Sequence, residues 1–160
     1  MRKWNVLLVV GILVLPFWVQ AHVFQDVPPV AQQISEKIQL AIQNYKEDKI
    51  PEGAILLCDV VLSTRPRTSW PDGFAETIDS ARNIFQKGQL AEGIGHIKRA
   101  IEIFKPDHET SSEKGDGSMA AITQLVLNKI ESAVENFKSG DADLAVLLIL
   151  ESLTLLSPAH

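Results

Sequence analysis

Residues 81–106 read ARNIFQKGQLAEGIGHIKRAIEIFKP, and this stretch decides the fold. Ala81 and Phe85 stand one helical turn apart, Gly88 interrupts, and Leu90, Gly93, Ile97 and Ala100 form a second helical stripe that Pro106 closes. A small residue, an aromatic, a turn residue and a second apolar run describe two antiparallel helices joined by a tight turn. The same offsets recur in Ala41, Tyr45, Asp48, Ile50, Gly53, Leu57, Val60 and Pro66, and again in Ala133, Phe137, Gly140, Ala142, Ala145, Ile149, Ser152 and Pro158. Three copies of one unit predict an all-α protein of three antiparallel helical hairpins, about six helices, packed as a compact bundle or a short solenoid. The hairpins fall at about 30–66, 73–106 and 118–158.

The individual helices follow from their stripes and stops. Val30, Ile34, Ile38, Ala41, Ile42 and Tyr45 share one face of a first helix, from about Val30 to Lys46, whose opening turn suits Pro28 and Pro29. Pro51 suits the first turn of the second, which ends before Pro66 because the residue ahead of a proline avoids helical geometry. Asp72 is the candidate N-cap of the third helix and Gly88 its stop; Ser118 and Gly140 do the same for the fifth. The fourth runs from Leu90 to Phe104. The sixth, Ala142 to Leu156, is apolar nearly all round and must be covered on most sides or form a subunit contact.

The chain opens on an address. Met1-Arg2-Lys3 is a positive start, Val6 to Val19 is an uncharged apolar run short for a membrane span, and Val19-Gln20-Ala21 puts small residues at a cleavage position. Residues 1–21 are therefore expected to be a signal peptide, with a retained anchor as the alternative, and residues 22–29 an N-terminal arm. The protein is expected to be exported, periplasmic or secreted, with no membrane span after cleavage. Loss of Arg2 and Lys3 takes the formal charge from -5 to -7, which removes the electrostatic case for binding nucleic acid. Cys58 is the one cysteine, so no internal disulfide forms, and its apolar neighbours predict a buried hydrophobe.

Two connections exceed the tight turns. Arg65 to Asp72 holds Pro66, Trp70 and Pro71 and reads as short and stiff. Pro106 to Gly117 has no apolar residue and reads as a solvated spacer, with a functional lid as the sharper alternative.

The Ala81–Pro106 pattern, with its small residues, aromatic, turn glycine and closing proline, resembles the tetratricopeptide repeat. The resemblance covers some 25 residues in each copy. It implies closely packed hairpins and a non-catalytic role in holding a protein or peptide partner. The chain departs from the family in spacing, which is 40 and then 52 residues between copies, against about 34 in the family. Lys37, Thr77 and Lys129 replace the bulky aromatic that opens the first helix. The family's carboxylate-clamping lysine and asparagine are replaced by Ile38 and Ile42, Ile78 and Arg82, and Ile130 and Val134. Those isoleucines are core in a closed bundle and groove lining in an open solenoid.

Ala91-Glu92-Gly93-Ile94-x-His96-Ile97-x2-Ala100-Ile101 is similar to the helices of small bacterial periplasmic metal-binding bundles. The chain has only His22, His96, His108 and His160, and no two share a helix at ligand spacing. His22, if exposed by cleavage after Ala21, has an amine and an imidazole that together chelate one copper ion, and is the single weak metal candidate. No cofactor, catalytic or other metal residue is assigned: Glu76, Asp79, Glu92, Glu131 and Glu135 fall opposite the apolar stripes as solvated faces. The sequence thus points away from an enzyme and to an exported interaction or ligand-binding module. A copper-binding or buffering protein is the alternative, and a homodimer through the last helix is open.

Overall fold

The computed structural model describes residues 29–106 and 118–156. Gln33–His160 forms one compact unit and Met1–Gln32 another, of which only the opening turn of the first helix is described. The signal segment, the arm up to Pro28, His22, His108, His160, Pro158 and residues 107–117 of the spacer lie outside the described residues. The helices are α1 (Pro29–Lys46), α2 (Ile50–Ser63), α3 (Phe74–Gln86), α4 (Leu90–Phe104), α5 (Met119–Ser139) and α6 (Ala142–Thr154), with a short 3-10 turn at Arg67–Ser69. No strand occurs among the described residues.

The repeat is present in the backbone itself. Asp48, Gly88 and Gly140, which occupy one repeat position, all have left-handed backbone, at φ 61°, 72° and 87°. The residue that follows caps the next helix in the same conformation each time, with φ/ψ of -92°/66° at Lys49, -88°/71° at Gln89 and -89°/75° at Asp141. Its N–H donates back five residues, from Lys49 to the Asn44 carbonyl at 2.8 Å, Gln89 to Ile84 at 3.2 Å and Asp141 to Asn136 at 2.9 Å. These bonds satisfy carbonyls that a helix end otherwise leaves open. Two copies use glycine because it takes a positive φ without a Cβ clash; aspartate is among the few other residues that tolerate it.

Just beyond each turn the two helices cross closely. A Cβ placed on Gly53 lies 2.9 Å from the Tyr45 ring, and one on Gly93 lies closer still to Phe85. The aromatic at the end of one helix is therefore laid flat on the bare backbone of the next. The third hairpin has Ala145 at this position, and its aromatic, Phe137, is only half-buried where Tyr45 and Phe85 are buried.

Ser118 caps α5 as its sequence predicts, its Oγ accepting from the Ala121 N–H at 3.4 Å. The start of α3 differs: the N-cap is Gly73, at φ 80°, and Asp72 lies outside the helix. The chain turns tightly from Pro71, the Phe74 N–H donating to the Pro71 carbonyl at 3.0 Å. That turn requires a left-handed residue, which glycine supplies, and the helix begins one residue later than a side-chain cap would place it.

α2 packs on α3, α3 on α4 and α5 on α6, and α6 also lies against α4 and α2. The third hairpin thus joins the others through its second helix, and the three hairpins close as a compact bundle. α6 buries Ala145, Val146, Leu147, Ile149, Leu150, Ser152 and Leu153, which explains why it is apolar nearly all round. Ser152 is tolerated there because its hydroxyl donates to the Ile149 carbonyl at 2.7 Å. Ile38, Ile78 and Ile130 are core residues, as a closed bundle requires. Ala41, Ala81, Ala100 and Ala133 are fully buried at the crossings.

Two glycines two residues apart on α4 yet opposite in environment, Gly93 and Gly95, test this packing. Gly93→Ala forces its methyl into the Phe85 ring and should cost about 1–3 kcal/mol, as should Ala100→Leu. Gly95, on the same helix, faces open space, so Gly95→Ala should stabilise by about 0.4–1 kcal/mol through the unfolded chain. Chemical denaturation of the three variants reads both signs; equal behaviour of Gly93→Ala and Gly95→Ala would contradict the crossing geometry.

Candidate functional site

The most chemically dense region is where the three hairpins meet. The connection after α2 carries Arg65 and Trp70; α3 opens with Phe74, α4 ends with Phe104, and α6 brings Asp143 in its first turn. Trp70 stacks on Phe74 with ring centroids 4.5 Å apart and meets Phe104 edge-on at 5.7 Å. The Arg65 guanidinium lies 4.3 Å from the centre of the Trp70 ring and 5.8 Å from that of Phe104, and hydrogen-bonds the Asp143 carboxylate. A planar cation over an indole face is favourable because the ring quadrupole is negative there, and partial desolvation strengthens the contact. Trp70 is buried. Its Nε1 is buried and finds no acceptor among the described residues.

Further charged pairs tie one element to another. Arg67 bonds Asp79 between the 3-10 turn and α3, Arg82 Nε lies 2.7 Å from Asp59 Oδ1 between α3 and α2, and Lys129 donates to Glu151 at 3.0 Å between α5 and α6. Asp79, read from the sequence as a solvated face, is thus a bonded partner of the connection. Glu76, Glu92, Glu131 and Glu135 are exposed.

Two buried titratable groups sit between the helices of the first hairpin. Tyr45 is enclosed with its hydroxyl unpartnered among the described residues, and burial raises its pKa well above the ordinary 10.0, with Cys58 adding to the shift. Burial likewise pushes the Cys58 thiol far above the ordinary 9.0; Asp59 adds to this and Arg82 opposes it. The thiol is therefore held protonated and unreactive at neutral pH.

His96 is half-buried on α4. Among the described residues no group of three or more His, Cys, Asp or Glu side chains could hold a metal ion. His22, the copper candidate, lies outside them. No described helix is long and apolar enough to cross a membrane. Comparison with protein-family models, with curated proteins and with solved structures finds no match. The Arg65–Trp70–Asp143 junction is what sequence reading missed: its members are 78 positions apart at the extremes, and only the pairing of an arginine and a tryptophan in one stiff connection hinted at it.

Both raised pKa values have the same consequence for pH. The unfolded chain releases the thiol and phenol protons near 9.0 and 10.0 while the folded chain keeps them, so their contribution is complete below about pH 9 and is lost as pH rises beyond it. Tyr45→Phe should be neutral or stabilising near neutral pH, because it removes an unpartnered buried hydroxyl, and should flatten the alkaline loss. Denaturation midpoints between pH 7 and 11 check this; an alkaline slope unchanged by the substitution would count against it. At the junction, Trp70→Ala should cost about 3–5 kcal/mol, and Asp143→Asn at most about 1 kcal/mol because its carboxylate is largely exposed.

Proposed function

We propose that this protein is a non-catalytic, exported helical-hairpin module that acts by binding a protein or peptide partner or a small apolar ligand. The observation that carries the reading is how its reactive groups are used. Asp59, Asp79, Asp143 and Glu151 are each engaged by an arginine or lysine across an element boundary, and the cysteine is a protonated core residue. Groups committed to holding helices together are poorly placed for acid–base or nucleophilic chemistry. Repeated helical hairpins on a rigid core are a common frame for recognition. Export rests on the opening segment of the sequence, and the tetratricopeptide-like pattern on the repeat.

Purification of the mature protein from the exported fraction of its native cells, followed by native mass spectrometry and metal analysis, tests the reading. A stoichiometric protein, peptide or apolar ligand is expected on the chain. Copper in a one-to-one ratio with no other bound species would instead favour the metal-buffering alternative, which a single residue added ahead of His22 should then abolish.

A further inference from the structure

We draw no further inference here: the strongest candidate, the Arg65–Trp70–Asp143 cluster between the connection after α2 and the first turn of α6, belongs to the site already described, its guanidinium already paired with Asp143 and its Trp70 Nε1, unpartnered among the described residues, buried out of reach of a ligand.

Discussion

The contact of an aromatic ring with the bare backbone of a glycine is the constraint from which the rest of the bundle follows. Tyr45 on Gly53 and Phe85 on Gly93 bring the helices of a hairpin closer than any Cβ permits. The residue between the helices is left-handed in all three copies, including the third, where Ala145 stands in place of the glycine. The close approach limits what fits at the crossing, where Ala41, Ala81, Ala100 and Ala133 are fully buried. The third copy relaxes the rule with Ala145, and Phe137 moves toward solvent accordingly.

Hairpins built this way are similar units that still have to be joined, and the joining uses different chemistry. Within a hairpin, close packing joins the helices, and in the third the Lys129–Glu151 ion pair is added. Between hairpins, Arg65, Trp70, Phe74, Phe104 and Asp143 combine stacking, a cation over a ring and an exposed ion pair. The Trp70 indole is buried in this junction, and the ion pair, with Asp143 largely exposed, fixes direction more than it adds stability. The cost is an indole N–H without an acceptor among the described residues.

The same division bears on function. The charges that bridge elements are paired with one another, some of them at the surface, and the two buried groups with raised pKa, Tyr45 and Cys58, are perturbed chiefly by enclosure. Perturbed pKa values mark functional sites when they occur in clefts beside a charge that tunes them. Here they mark a packed core.

Much of this architecture was legible in the sequence because it depends on local rules. Helix periodicity, the turn residues at Asp48, Gly88 and Gly140, the Ser118 cap and the small residues at the crossings all act over a few residues, and each left a mark at a fixed spacing. The cap of α3 did not, since whether Asp72 or Gly73 starts the helix depends on the tight turn after Pro71. Tertiary structure alone decided that α6 lies against α4 and α2, and with it whether Ile38, Ile78 and Ile130 line a groove or a core. The physical reason is that an apolar stripe specifies that a face must be covered but not by what. Arg65 and Asp143 carried no signal of each other for the same reason: a contact between distant positions is chosen by the way helices pack, and the residues at its two ends record it only as one cation and one anion among many.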